Sequence, residues 1–315
     1  LDDLTLVFPN RRAVLYFRKH LSTLLDKPAF APKLVTIEDF IGGFSNLKVP
    51  DKLELIHRLY KSYFEIIRKS DSSTLSEAEP FDKFYFWGDM LLRDFDEADK
   101  YLINTKQLFL DLSHQKELDS TFDYLTDEQR EFLKSFWSSF EENLTENKKK
   151  FLSVWNQLYD LYTIYRQELL SDGLAYEGMM HRSVAEEISD VGKSWSADQR
   201  IVFAGYNALT KAEEMVICYF VERGVADVYW DTDTYYVNNN TQEAGRFFRE
   251  YQQHKILGST FSKQTPSNFL HGKLDSNASE KTIASKSIRI FGAAEPVGQA
   301  KMMAQILQEQ MQLGM

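Results

Sequence analysis

The sequence predicts an α/β protein: a parallel sheet domain interrupted by a large all-helical insertion, helix-rich overall. Three observations carry this reading. Short apolar runs of strand length stand near both ends of the chain. Helix-period apolar stripes fill the stretch from residue 51 to residue 192. Strands near the ends alternate with helical stretches, the order of a sheet built from crossover connections.

Leu4-Thr-Leu-Val-Phe8 is an apolar run closed by Pro9-Asn10 and reads as a buried strand. Residues 11–25 then place Ala13, Leu15, Phe17, Leu21, Leu24 and Leu25 near helical spacing. Residues 33–37 make a second strand, and Glu38-Asp-Phe-Ile41 opens a second helix. Residues 1–45 therefore read β-α-β-α.

In 51–192 no segment has strand character. Leu53, Ile56, Leu59, Tyr60, Phe64 and Ile67 form one helical stripe. Phe84, Trp87, Leu91, Leu92 and Phe95 form a second, with Gly88 as a tolerated weakness. Thr126-Asp-Glu-Gln129 is a capping box for a helix carrying Phe132, Leu133, Phe136, Trp137 and Phe140. Phe151, Val154, Trp155, Leu158, Leu161, Tyr162 and Tyr165 form a further stripe, stopped by Asp172-Gly173. Aromatic rows of this kind can stack bases, but at helical spacing they read first as core.

After Trp195 the strands return. Residues 200–205 are a strand, 211–223 a helix stopped by Gly224, and 227–231 the next strand. Residues 241–257 look helical, while 258–286, rich in Ser, Thr, Asn and Lys, read as loop or linker. Residues 287–291 are a last strand, and Pro296 opens the final helix at its first turn. The expected organisation is 1–50 as the first part of the sheet domain and 51–192 as the helical insertion. Residues 193–286 form the second part, with its polar linker, and 287–315 start a further domain.

The 315 residues are 43% hydrophobic and 27% charged, the balance of a globular chain. No run approaches the ~20 apolar residues of a membrane span, so no membrane association is expected. Leu1-Asp-Asp3 lacks both parts of a secretory signal, and the missing initiator Met reads as an excerpt of a longer protein. The lone Cys218 excludes a disulfide framework and fits a reducing, cytoplasmic location; between Ile217 and Tyr219 it reads as core filler.

Thirty-seven basic and 47 acidic residues give −10, and residues 71–131 hold 16 acids against 6 bases, enough to carry all of it. By contrast, residues 9–33 carry Arg11, Arg12, Arg18, Lys19, Lys27 and Lys33 against Asp26 alone. A protein that coats duplex DNA by bulk charge is basic, and this one is not; a local phosphate site remains open. Ordinary solvated helix faces account for both regions equally simply.

No GxxxxGK[ST] phosphate loop, GxGxxG turn, HExxH pair or GxSxG elbow occurs. His20, His57, His114, His181, His254 and His271 never reach ligand spacing and read as surface or half-buried. Two local constellations remain. In Val7-Phe-Pro-Asn-Arg-Arg-Ala13 a strand meets a helix N-terminus, where Asn10, Arg11 and Arg12 can hold a phosphate; the alternative is a plain turn with two solvent-facing arginines. In Trp230-Asp-Thr-Asp-Thr234, Asp231 and Asp233 follow a strand and can ligate a divalent cation in a transferase or phosphohydrolase; the alternative is an acidic loop.

Taken together, these segments resemble one family. Val7-Phe-Pro-Asn-Arg-Arg-Ala with Phe17-Arg18 resembles the motif Ia region of UvrD-type superfamily-one helicases, and Lys33-Leu-Val-Thr-Ile-Glu-Asp-Phe-Ile41 resembles the strand and helix near motif Ib. Phe84-Tyr-Phe-Trp-Gly-Asp-Met-Leu-Leu92, Asp94-Phe-Asp96 and Gly173-Leu-Ala-Tyr-Glu-Gly178 narrow the likeness to AddB-like proteins of Bacteroidetes, which join an inactivated helicase to a PD-(D/E)XK nuclease. The resemblance implies a RecA-like (P-loop NTPase-type) sheet domain in a UvrD-like 1A/1B arrangement. It implies work in DNA double-strand-break repair and recombination, on a single-stranded or end substrate, beside an AddA-like helicase–nuclease subunit. Asn10, Arg11 and Arg12 would hold the DNA backbone, with Thr36 nearby.

The departures from an active helicase point the same way. Ala204-Gly-Tyr-Asn207 stands where the Walker B acids belong, so no ATPase site is expected. No cofactor is expected in this chain, because the divalent metal belongs to a nuclease domain beyond Met315. A protein-interaction scaffold is the remaining alternative.

Overall fold

The computed structural model describes residues 3–25, 27, 30–70, 80–113, 157–261, 290–293 and 295–312, without the side chains of 67–70 and 110–113. Four parallel strands, β1 (Leu4–Phe8), β2 (Lys33–Thr36), β3 (Arg200–Tyr206) and β4 (Ala226–Trp230), form one sheet in the order β2-β1-β3-β4. Helices α1 (Arg11–Leu24) and α2 (Ile37–Gly42) flank β2 in the chain. Between α2 and β3 come α3 (Lys52–Ser70), α4 (Phe81–Lys100), α5 (Thr105–Ser113), α6 (Leu158–Ser171), α7 (Glu177–Glu186) and the short α8 (Ile188–Val191). Helix α9 (Lys211–Glu222) joins β3 to β4, and α10 (Thr234–Val237), α11 (Arg246–Gln253) and α12 (Pro296–Gln312) follow. The described chain is a helix-rich α/β structure around a small parallel sheet.

Register decides which residues the sheet buries, because side chains alternate faces along each strand. Thr5, Ile201 and Ala226 lie side by side, as do Val7, Phe203 and Val228 two residues on. This face packs on Phe40 and Ile41 of α2, Val184 and Ala185 of α7, and Val216 and Phe220 of α9. Cys218 belongs to the same core. On the opposite face α1 rests its Phe17 ring 5.2 Å from Phe8. Helix α1 buries no residue fully, and Leu24 of its expected stripe is 79% exposed.

A second core lies between α3, α4 and α6, with Tyr162 and Tyr165 of the expected aromatic stripe inside it. Its register on α3 departs from expectation. Leu55, Ile56, Leu59 and Ile66 face inward, whereas Leu53 is 57% exposed. Gly88 is no weakness either: a Cβ there would lie 2.7 Å from Ile56 Cγ2, so α3 approaches α4 only because the side chain is missing.

Helix α7 belongs to both cores, with Met179 and Met180 in one and Val184 and Ala185 in the other. Asp99 of α4 fixes it there. The fully buried carboxylate pairs with Arg166 of α6 and with Arg182 of α7, the latter at 2.7 Å. It also accepts hydrogen bonds from the hydroxyls of Tyr162 and Tyr176. One turn earlier the Gly178 amide donates to Asp96 Oδ1 at 2.6 Å, and a Cβ at Gly178 would stand 2.1 Å from the Asp96 carbonyl oxygen.

Several boundaries move. Ile37 is helical rather than the end of β2, because the Thr36 hydroxyl accepts the Asp39 amide and starts α2 one residue early. The helix expected over 241–257 shortens to Arg246–Gln253 between turns of 3₁₀ helix. Of the strand expected over 287–291 only Ile290 and Phe291 are described, and neither is in a strand. The capping box at 126–129 with its helix, Phe151, Val154 and Trp155, His114, His271, and 262–286 of the expected linker lie outside the described residues.

His181 overturns its sequence reading. It is 1% exposed, and neither ring nitrogen has a partner among the described residues. Burial, and then the Lys100 ammonium, lowers its pKa to about 4 from an ordinary 6.5; Glu177 and Glu38 act in the opposite direction.

Two outcomes follow. Gly178→Ala is expected to cost about 1–3 kcal/mol in urea unfolding, while Leu53→Ala stays within about 0.5 kcal/mol. For His181, the unfolded chain binds a proton between about pH 4 and 6.5 that the folded chain refuses, so its contribution falls as pH drops through that window. Asp94, raised to about 7 chiefly by burial, titrates with the opposite sign, so the comparison is made against His181→Gln. Relative to that variant, the wild type is expected to lose on the order of 3 kcal/mol between pH 7 and pH 4.

Candidate nucleic-acid interface

The strand order reverses between β1 and β3. From β1 the chain steps outward to β2, then returns past β1 to β3 on the other side. Open α/β sheets hold ligands in the crevice at the carboxyl ends of such a strand pair. Here the crevice is bordered by Pro9-Asn10 and the start of α1 on one side, and by Gly205-Tyr206-Asn207 on the other. The two loops are neighbours: a Cβ on Gly205 would lie 3.9 Å from Pro9 Cδ.

Asn10 caps α1, its Oδ1 accepting the Ala13 amide at 2.9 Å. The amides of Arg11 and Arg12, at the first two helical positions, have no carbonyl within the helix to bond. Both side chains are exposed, as is that of Arg18 two turns on. No carboxylate, carbonyl or ring among the described residues partners any of the three.

That separates them from every other arginine whose side chain is described. Arg58 pairs with Glu54 and Asp172, Arg93 with Asp89, and Arg166 and Arg182 with Asp99. Arg200 pairs with Asp227 and Arg246 with Glu250. Arg223 holds the Gly192 carbonyl and lies over the Tyr219 ring, and Arg249 holds the carbonyls of Tyr236, Asn239 and Gln242.

The structure brings Arg11 and Thr36 to one cavity between α1 and β2, together with Arg18. Thr36 is buried, and its hydroxyl is occupied as the cap of α2, accepting from the Asp39 amide and donating to Asp39 Oδ2 at 2.9 Å. Its visible part is to place α2. Arg18 was missed as a site residue. The signal for it was spacing: seven residues after Arg11 it returns to the same helical face.

Across the crevice, β3 ends in an apolar plug. Its pairing with β4 slips at Gly205, which has φ +84°, and the bulge turns Tyr206 onto the face of Phe203. Tyr206 is buried there, and burial raises its pKa. Glu213 and Glu38 are the acids that act on it, and Glu213 accepts the Thr210 amide in a capping box.

Asp231 and Asp233 are placed at the end of β4. The Asp231 amide donates to the Tyr206 carbonyl at 3.2 Å, and the Asp233 carboxylate caps α10 by accepting the Tyr235 amide at 2.9 Å. Among the described residues no three histidine, cysteine or acidic side chains group so as to hold a metal ion, which gives the Asp-x-Asp reading no support. No described helix is long and apolar enough to cross a membrane. In comparisons with known proteins, no family model matches the chain, and no curated protein matches it either.

Proposed function

We propose that the chain is a non-catalytic, helicase-like module that binds or guides a DNA strand in an AddB-like repair and resection assembly. In this reading the sheet is RecA-like and the α3–α7 block takes the UvrD-like 1B role. A partner of AddA type, in the cytoplasm, hydrolyses ATP, and the metal-dependent nuclease domain lies outside this chain. The observation that carries the reading is the set of unpartnered arginines on α1, beside a sheet switch point, in a chain whose other described arginines are all engaged. The buried tyrosine at position 206, where the resemblance places the Walker B acids, supports a reading without ATP hydrolysis.

The test is fluorescence anisotropy of a labelled single strand, titrated without ATP or metal at several salt concentrations. Wild type is expected to bind in a salt-sensitive manner. Arg11→Glu with Arg12→Glu is expected to weaken binding at least about tenfold and to flatten the log–log salt slope by about 1.4, at ~0.7 per lost phosphate contact. Absence of wild-type binding at low salt would overturn the reading in favour of a protein-interaction scaffold.

A further inference from the structure

We propose that the joint between the helical layer and the sheet opens as a unit, with α7 leaving α2 and α9 while both layers stay folded. The inference stands apart from the reading above of what the chain binds. Three observations meet at this joint.

The first is a strained turn. Helix α4 ends in the bonding pattern of a Schellman motif: the Leu102 amide donates to the Asp99 carbonyl at 3.0 Å, and the Ile103 amide to that of Ala98 at 2.9 Å. Glycine is usual at the position of Leu102, because the turn needs a positive φ. Leu102 stands there at φ +53°, the one non-glycine so placed among the described residues. Its neighbours Tyr101 and Ile103 pack in the helical core, whereas Leu102 packs against the sheet core. Strain of this kind persists only where the surroundings hold it. Arg182 of α7 helps to hold it, donating to the carbonyls of Ala98 and Ile103 at 3.0 and 2.6 Å. Withdrawn from the sheet core, the turn loses its other support and can relax.

The second and third are orphaned polar groups. His181 of α7 and Tyr206 at the end of β3 are 1% and 2% exposed. Neither the imidazole nitrogens nor the phenol hydroxyl have a hydrogen-bond partner among the described residues. Glu38 of α2 acts on both, which puts them on one seam. The other charged groups on that seam are Lys100 of α4 with its partners Asp96 and Glu177, and Glu213 of α9. Closure takes water from the two orphaned groups and gives nothing back, so opening is favoured by their hydration.

The line of separation follows from what opposes it. On the sheet side, α7 contributes only the small side chains of Val184 and Ala185 to the apolar core. On the other side the Asp99 network ties α7 to α4 and α6. Helix α7 therefore leaves with the helical layer.

The experiment reads opening as thiol labelling by dithiodipyridine, which reacts in mild acid, in a Cys218→Ala background. Val184→Cys places a thiol in the joint, and Ala175→Cys places one in the helical core. Rates are divided by that of a free thiol peptide at the same pH. The joint thiol is expected to react at least about tenfold faster at pH 7, with a shallow urea dependence, while the helical-core thiol follows the steep dependence of global unfolding. Tyr206→Phe removes one orphaned group and is expected to slow joint labelling at least about fivefold, leaving the ring packed. Burial holds the closed His181 imidazole down to about 4 against an ordinary 6.5 in water, so acid favours the open joint. Joint labelling is expected to rise about twentyfold from pH 7 to pH 5, relative to the same protein with His181→Gln. Glu38, Asp96, Glu177 and Glu213 are common to both proteins, so their titration cancels.

A common rate and a common urea slope for the two thiols would overturn the proposal, because the joint would then open only with the whole fold. So would faster joint labelling that neither Tyr206→Phe nor His181→Gln changes, which would place the opening elsewhere on α7.

Discussion

Asp99 is the carboxylate on which the helical layer turns. Taking one ionised group fully out of water is costly unless its charge and its lone pairs are both satisfied. Here two guanidiniums and two phenol hydroxyls converge on it from α6, α7 and the turn before α7. Arg182 also donates to the carbonyls of Ala98 and Ile103, so it closes the end of α4 as well. The consequence reaches the sheet. Helix α7, held by Asp99 on one side, packs on α2 and α9 on the other through Val184 and Ala185. Those two helices follow β2 and β3 in the chain, so the network is tied to the sheet through them.

The same economy explains why the α1 arginines stand out. In a protein with net charge −10, a guanidinium is seldom far from an acid, and the described structure engages nearly every one. Leaving three unpaired on one helix preserves a local positive field that salt screens over about 8–10 Å. A field of that reach does not draw the whole molecule to a duplex. Under the proposed function, such a field would act on a strand already delivered to the crevice.

Elements with strong local patterns were legible in the sequence. The apolar run of β1 and the helix α9 with Gly224 after it depend on residues within a few positions of one another, and the structure has them in place. What escaped depends on partners far away in the chain. Gly88 and Gly178 look like ordinary weak helix positions until another helix meets them. Asp99 sits in an acidic stretch that reads as solvated, and only contacts more than sixty residues away turn it into a core residue. His181 carries no ligand spacing, so nothing local announces its burial. For the candidate site, Asn10, Arg11 and Arg12 were picked out by a strand–turn–helix signature, but nothing in it showed that the two arginines find no partner among the described residues. Thr36 was chosen for its position, and its hydroxyl turned out to be committed to the amide and carboxylate of Asp39.

The two sides of the crevice have diverged in what they offer a ligand. On the β1 side, exposed helix-start amides and guanidiniums remain available to phosphate. On the β3 side, one bulge at Gly205 redirects the next side chain from the crevice into the core, and that side chain is a tyrosine large enough to fill the space beside Phe203. A carboxylate at position 206 would therefore be buried among apolar neighbours, while removing the bulge would shift the pairing of β3 with β4. A metal-binding end on β3 would thus require the core and the strand register to change together.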